Sequence, residues 1–320
     1  MLPKLTNKLG RKLITVTLNP VLDRTLWVPN FTPGGTFLVD KSEDVAGGKG
    51  VNVSRALKHF GIDSVATGIM AEGGSEPYIR LLQKGRIAHD FVPAQGNLRI
   101  NITVISDSKK GETHLRDRGP EVTESTLDAL EKKLRDLKEK SSLFVLSGSI
   151  PHGLPDHTYY RLITTMSRWR CDVFFDASGG PLKKGITTRP FFIKPNVHEV
   201  EEVLGFFPDS QEELVKAVNS FSGMGIKNVM ISMGKKGLVF FQGKEIVHAQ
   251  LPIDQPVNTV GSGDAALAGG LIGIVSELNT EDTARIACAM GAANTLISGA
   301  CIFNTEDVCR LFKTVHINHL

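Results

Sequence analysis

What this chain lacks bounds its function. No run of lysine and arginine is longer than a pair, and the formal net charge over 320 residues is only +3. That balance gives no argument for nucleic-acid binding and confines any basic function to a local pocket. The longest apolar stretch, Ala265 to Val275, is interrupted by glycine and too short to span a bilayer. Met1 to Lys12 carries cations, but Pro3 and Asn7 interrupt any apolar h-region, so no signal peptide is read. Cys171, Cys288, Cys301 and Cys309 have no C-x-x-C spacing. They read as reduced core thiols of a cytoplasmic protein, not as a zinc or disulfide framework. There is no internal repeat, low-complexity tract or long linker. What is present is ordinary for a soluble globular protein, with 41% hydrophobic and 22% charged residues.

Apolar strand-like runs alternate with helical periodicity for most of the length. Lys12 to Leu18 is a β-branched run stopped by Asn19-Pro20. Val53, Ala56, Leu57 and Phe60 then recur at helical spacing, and Gly61 closes that helix. Strands are expected at Ser64–Ile69 and around Ile87–Val92, with a helix that includes Tyr78 to Leu82 between them. Leu127, Leu130, Leu134 and Leu137 mark an amphipathic helix, with Ser125 and Asp128 offered as a capping box. Leu143–Leu146, Val173–Asp176 and Phe191–Lys194 are short continuous apolar runs, as strands buried on both faces require. Val229–Ser232, Leu238–Phe241 and Glu245–Ala249 continue the sheet, and the rest reads as mostly helical. This alternation predicts an α/β fold around a mainly parallel sheet. Thr25 to Val45 and Arg99 to Leu115 break the rhythm with apolar–polar alternation, and predict a small antiparallel sheet, in effect a lid.

The most informative motif is Thr259-Val-Gly-Ser-Gly-Asp264, which opens the small-residue stretch Ala265 to Gly270. Glycine permits φ > 0 and close approach of a ligand, and a helix start offers free N–H groups and a positive dipole end to an anion. A carboxylate at such a seat opposes phosphate unless it has a task, and the task inferred is to accept a proton from a hydroxyl attacking a phosphoryl group. A second cluster, Ala46-Gly-Gly-Lys-Gly-Val-Asn52, also opens a helix. It is neither a Walker A loop nor G-x-G-x-x-G. Tight packing explains it as well as a surface on which Asn52 and backbone meet a polyhydroxy substrate. Asp23, just past a strand end, is suited to accept sugar hydroxyls, though a turn aspartate beside Asn-Pro is the plainer reading. Arg99, Arg116 and Arg118 sit at lid strand ends, where arginine would fork onto phosphate or simply be solvated.

Ser147 to Pro155 follows a buried strand, where open α/β sheets bind ligands, but it contains no Gly-x-Ser-x-Gly elbow. Lys194-Pro-Asn196-Val-His-Glu199 follows another. Asn196 and Glu199 are suited to hold Mg²⁺ through water, or are a plain capping pair.

Taken together these residues resemble the ribokinase-like, or phosphofructokinase B, family of sugar kinases from about Lys12 to Phe312. The glycine-rich signature around Ala46–Leu57 and the C-terminal one around Asn258–Leu271 occur in order, with Ser-Gly-Ser-x-Pro and Lys-Pro-Asn-x-x-Glu between them. Thr17-Leu-Asn-Pro-x-x-Asp23 and Gly47-Gly-Lys-Gly-Val-Asn-Val-Ser-Arg55 are similar to the branch of 1-phosphofructokinases and tagatose-6-phosphate kinases. The resemblance implies a three-layer ribokinase-like fold, one domain over 1–320 with lid strands at about 25–45 and 99–115. It implies ATP and Mg²⁺ as cofactors, and a lid that often pairs two subunits. It implies Asp264 as base with Gly261, Ser262 and Gly263 as anion hole. Asp23, Gly47, Gly48, Lys49 and Asn52 would hold sugar, and Arg99 with Ser149 its phosphate. Lys194, Asn196, Ser232, Gly234, Gly237 and Asn294 would serve ATP, with adenine near Ala287 to Asn294. Asn196 and Glu199 would serve Mg²⁺. Asn258 replaces the aspartate that many relatives tie to a monovalent cation, so strong K⁺ activation is not expected. Gly35 to Asp40 lacks the basic residues some relatives use on a sugar phosphate.

The expected reaction is ATP-dependent phosphorylation of fructose 1-phosphate at C6 or tagatose 6-phosphate at C1. The alternatives are a sensor without catalysis and a kinase for another sugar or a nucleoside. A dinucleotide oxidoreductase is weaker, since no early G-x-G-x-x-G follows the first strand.

Overall fold

The computed structural model describes residues 2–106, 112–253 and 255–320. Residues 107–111 of the expected lid segment lie outside the described residues. The β-branched run after Lys12 forms β1 (Leu13–Thr17), buried along its whole length. The chain then leaves the main sheet for β2 (Val21–Trp27) and β3 (Lys41–Gly47) and returns through helix α1 (Lys49–His59). Next come β4 (Val65–Gly73), α2 (Glu76–Lys84), β5 (Ala88–His89), β6 (Val92–Asn97), β7 (Arg99–Ile105) and β8 (Glu112–Leu115). Helix α3 (Glu124–Leu137) leads to β9 (Leu143–Ser147), α4 (Thr158–Arg168), β10 (Asp172–Asp176), α5 (Gly179–Ile186) and β11 (Phe192–Ile193). Helices α6 (Val197–Leu204) and α7 (Gln211–Gly223) precede β12 (Asn228–Ser232), β13 (Leu238–Gln242) and β14 (Glu245–Gln250). The chain closes with α8 (Ser262–Val275), α9 (Thr280–Asn294), α10 (Thr305–Phe312) and β15 (His316–His319).

Among the described residues, eleven strands form one sheet in the order β15-β14-β13-β12-β11-β10-β9-β1-β4-β5, with β6 beside β4. Pairing is parallel from β12 through β5, and antiparallel from β12 out to β15. Apolar side chains of α1, α8, α9 and α10 cover one face of the sheet. Those of α3, α4, α5, α6 and α7 cover the other. Two apolar faces on one sheet are what the continuous runs at Leu143–Leu146 and Val173–Asp176 demand, and the result is the expected three-layer α/β fold. Strand β15 is not foreshadowed by the mostly helical reading of the C-terminal third. Its exposed His-Ile-Asn-His has no buried run to signal it, and it joins as an edge strand against β14.

The capping of α3 corrects the expectation at Ser125. The helix begins at Glu124, so Ser125 already has helical backbone. Thr123, in an extended conformation, is free to cap and accepts the Thr126 N–H at 3.4 Å.

The lid is a separate sheet in the order β3-β2-β7-β8. Its outer pairs are antiparallel, but its central pair, β2 with β7, is parallel. No helix among the described residues is long and apolar enough to cross a membrane.

Candidate active site

Strand β1 pairs with β4 on one side and β9 on the other, which makes it the point where the sheet's strand order reverses. Ligands of open α/β sheets lie beyond the carboxyl ends of strands at such a point. Here those ends carry a polar row. Ser147 pairs in register with Asp176, and the Phe175–Ile193 pairing sets Lys194 beside Asp176. With Thr17 they line a cleft of about 660 Å³ between the main sheet and the lid.

Asp176 is 1% exposed at the foot of this cleft, with Lys49 Nζ at 3.2 Å and Lys194 Nζ at 3.3 Å. Burial opposes its ionisation, but Lys194 and Lys49 outweigh burial and hold the carboxyl below its ordinary range. In return Asp176 raises the Lys49 ammonium against the effect of burial. Sequence reasoning missed Asp176, although a carboxylate closing the run Val-Phe-Phe was a signal.

Asp264 stands in the first turn of α8. Gly261 caps that helix with φ of 84° and is packed so closely that a Cβ would lie 2.7 Å from Ala300, so only glycine fits. The Ser262 N–H is bonded to Thr259 O (3.2 Å), while those of Gly263 and Asp264 meet no acceptor among the described residues. They are the free donors of a helix start. Asn52 Nδ2 donates to Asp264 Oδ2 at 2.8 Å. Burial pushes the Asp264 carboxyl up to about 6. Lys49 pulls the other way, Asp176 adds to the rise, and Asn52 and Lys194 oppose it. A carboxyl poised there is suited to take a proton near neutral pH.

Asn196 and Glu199 form a complete capping box at the start of α6. Asn196 Oδ1 accepts the N–H groups of His198 and Glu199 (2.9 Å each), and Glu199 Oε2 accepts the Asn196 N–H (2.8 Å). Both also line the cleft, so capping and a ligand role coexist. The cap leaves Glu199 Oε1 and Asn196 Nδ2 for other partners. Among the described residues no group of three or more His, Cys, Asp or Glu is set to hold a metal unaided. Of those two atoms only Glu199 Oε1 is an oxygen, and it shares the cleft lining with Ser147 Oγ, buried and without a hydrogen bond among the described residues. So sparse an oxygen set fits a Mg²⁺ ion that keeps most of its water and gains phosphate oxygens.

On the lid side, Asp23 lines the cleft and accepts from Asn101 Nδ2 at 3.0 Å. Its approach depends on Gly47, where a Cβ would meet Asp23 Oδ2 at 2.0 Å. Burial raises the Asp23 carboxyl, against the Asn101 bond and the charges of Arg99, Arg116 and Arg55. Gly48, Lys49, Asn52, Ser149, Ser232, Gly261 and Gly263 all line the cleft.

Several expected residues are placed differently. Arg99 lines the cleft, but its Nε donates to Pro20 O (3.2 Å) and its Nη2 to Asn19 O (2.8 Å), which leaves Nη1 for a ligand. Arg116 lines the cleft, exposed and engaged in no hydrogen bond or ion pair among the described residues. Gly47 lies behind the cleft, where its carbonyl accepts from Tyr78 Oη at 2.8 Å. Gly234 and Gly237 form the tight turn between β12 and β13, outside the cleft lining.

Asn294 does not reach the cleft either. It is wholly buried, donating to Val260 O (2.8 Å) and Ser262 Oγ (3.1 Å) and accepting the Cys301 N–H (2.7 Å). The helix around it, Ala287 to Ala293, packs against α8 through small residues and offers little open surface. Ser262 thus braces the loop from behind and is absent from the cleft lining.

The chain is similar to known proteins along nearly its whole length. It is 32% identical over 310 residues to a 1-phosphofructokinase of Borreliella burgdorferi, covering 96% of this chain and 99% of that protein. It is 33% identical over 282 residues to a 1-phosphofructokinase of Bacillus subtilis, covering 88% and 91%. The fold matches the crystal structure of phosphofructokinase-2 from Escherichia coli with a TM-score of 0.89 at 23% identity, covering 95% of this chain and 99% of that one. Residues 16–307 match the pfkB family carbohydrate kinases. This chain belongs to that family, whose members transfer a phosphoryl group to a sugar hydroxyl.

Proposed function

We propose that this kinase transfers the terminal phosphoryl group of ATP to the free primary hydroxyl of a ketohexose monophosphate, giving a 1,6-bisphosphate. The whole chain acts as one kinase unit, lid included. The relatives named 1-phosphofructokinase favour fructose 1-phosphate, reacting at C6, over tagatose 6-phosphate, reacting at C1. The observation that carries the mechanism is the buried Asp264 carboxyl beside free N–H groups at one helix start.

In this reading Asp23, Asn52 and the Gly48 backbone hold the sugar under the lid. Asp264 takes the proton of the attacking hydroxyl as the new O–P bond forms. The N–H groups at the start of α8 receive the negative charge of the phosphoryl oxygens, aimed before the reaction begins. Lys194 and Lys49, held apart by Asp176, face the phosphate chain with little freedom to move. Arg116 and the spare Arg99 Nη1 meet the phosphate already on the sugar. Glu199 would hold Mg²⁺ through water, with Asn196 orienting that carboxylate through the cap, and the ion would neutralise charge on the ATP phosphates.

The test is ADP release measured across fructose 1-phosphate, fructose 6-phosphate, tagatose 6-phosphate, ribose and adenosine, with Asp264→Asn alongside. Fructose 1-phosphate is expected to give the highest kcat/KM, with activity rising as pH passes through about 6. Asp264→Asn is expected to lower turnover by roughly 10²–10⁴-fold with ATP binding retained. Near-normal turnover in that variant would remove Asp264 from the role of base. Binding without ADP release from any substrate would instead identify a sensor.

A further inference from the structure

We propose that Arg55 is a positioning residue for phosphoryl transfer, whose guanidinium fixes the Asn52 amide so that its nitrogen, not its oxygen, faces Asp264. The inference rests on the reading of Asp264 as base. Asn52 is 5% exposed and lies between the two. Arg55 Nη1 donates to Asn52 Oδ1 at 2.8 Å, and Asn52 Nδ2 donates to Asp264 Oδ2 at 2.8 Å. A primary amide turned by half a revolution occupies the same space but presents two lone pairs in place of two N–H groups. Against an ionised carboxylate that orientation repels. Arginine only donates, so its contact admits one orientation of the amide and aims the donor at the base.

The same guanidinium reaches further. Nη1 also donates to Ala300 O (2.9 Å), and Nη2 donates to Ala46 O, where Ala46 pairs with Leu22 at the root of the lid. The residue after Ala300 gives its N–H to Asn294, which in turn holds Val260 and Ser262 behind the helix start. One planar cation therefore links the lid root, the sugar-side helix and the support of the phosphate seat. Lysine, a single point of charge, cannot span these three acceptors in the same geometry. The charged and titratable groups that bear on Asp264 are Lys49 and Arg55 from α1, Asp176 from the end of β10, Lys194 after β11 and the Cys301 thiol ahead of α10.

The experiment compares Arg55→Met, Arg55→Lys, Asn52→Ala and the double variant Asn52→Ala/Arg55→Met by steady-state kinetics with ATP and fructose 1-phosphate from about pH 5 to about pH 9. Arg55→Met is expected to lower kcat by about 10–100-fold, keep the KM for ATP within about threefold and move the acid limb upward by about one pH unit. Arg55→Lys is expected to keep most of that loss. In the Asn52→Ala background, Arg55→Met is expected to lower kcat by several-fold less than it does alone, because the amide it aims is gone and only its bonds to Ala46 and Ala300 remain to be lost. An acid limb that stays in place, or losses that multiply in the double variant, overturns the proposal. Should Arg55→Met fail to fold, Arg55→Lys carries the same reading of kcat and acid limb. Asp264→Asn in the same series separates the two ideas: full turnover there sinks the base, whereas a dead Asp264→Asn with an unmoved Arg55→Met profile sinks only Arg55.

Discussion

The two sheets of this kinase are made of similar strand lengths but are held by different means. In the main sheet, β1 and β9 are buried at every position and β10 at all but its first residue. In the lid, β8 is exposed throughout, and β2 and β7 are buried at only a few positions. The main sheet is fixed by apolar burial on two faces, with side chains such as Phe144, Phe174 and Phe175 fully enclosed. The lid relies on ladder hydrogen bonds and on polar pairs such as Arg24 with Asp44 (2.7 Å) and Asn101 with Asp23 (3.0 Å). Groups that must keep fixed distances, Asp176, Lys194 and Asp264, sit on the first sheet and its helices. Of the groups proposed to meet the sugar phosphate, Asp23 and Arg99 sit on the second, while Gly48 and Asn52 reach the cleft from the start of α1.

This contrast predicts a graded set of outcomes. Phe175→Ala, which empties a fully buried site under α4 and α5, is expected to cost about 3–5 kcal/mol of stability in denaturant unfolding. Ile102→Ala, on the half-buried lid face, is expected to cost about 1 kcal/mol. Equal losses would erase the distinction between the sheets. Arg116→Ala is expected to raise the KM for the sugar phosphate by about 10–100-fold with stability unchanged, since a charge-assisted contact to phosphate contributes about 1.5–3 kcal/mol. An unchanged KM in steady-state assays would leave the substrate's phosphate to Arg99 alone.

A smaller effect lies on the rigid side of the comparison. Because the folded Asp264 carboxyl titrates near 6, above its unfolded value of 3.8, the folded state binds the extra proton between those values. Stability contributed by this group is therefore full below the unfolded value and lost as pH rises through about 6. Asp264→Asn removes that loss and can keep the Asn52 bond. It is expected to stabilise the ligand-free protein by about 3 kcal/mol above pH 7, with the gain fading toward pH 4. A Tm difference independent of pH would show that burial of the charge is not its cause.

Much of this was legible in the chain. Continuous apolar runs mark the buried strands because both faces of a parallel sheet are covered, and Gly261 to Asp264 is legible because a tight turn before a helix has few chemical solutions. Pairing across the lid was not, since nothing local in Thr25 or Thr103 states that β2 lies parallel to β7. Arg99 illustrates a second limit: sequence identifies a fork of donors but not that Asn19 and Pro20 already occupy two of its nitrogens. Asn294 illustrates a third. A helix of small residues can line a nucleotide or pack on another helix; the structure shows its buried face packed on α8, while Gly291 and Ala292 stay half-buried.

The parallel pair at the centre of the lid also orders events in time. Its two strands come from opposite sides of β4, α2 and β6 in the chain, with Val21 opposite Arg99. Each half can form as a local hairpin, but bringing the halves together closes a long loop whose entropy is offset only once β4 and β6 are seated. The lid is therefore expected to assemble after the strands between its halves are seated. In pulse-labelled refolding, amides of β2 and β7 are expected to gain protection after those of β1, β4 and β9. Simultaneous protection would mean that the two sheets nucleate as one.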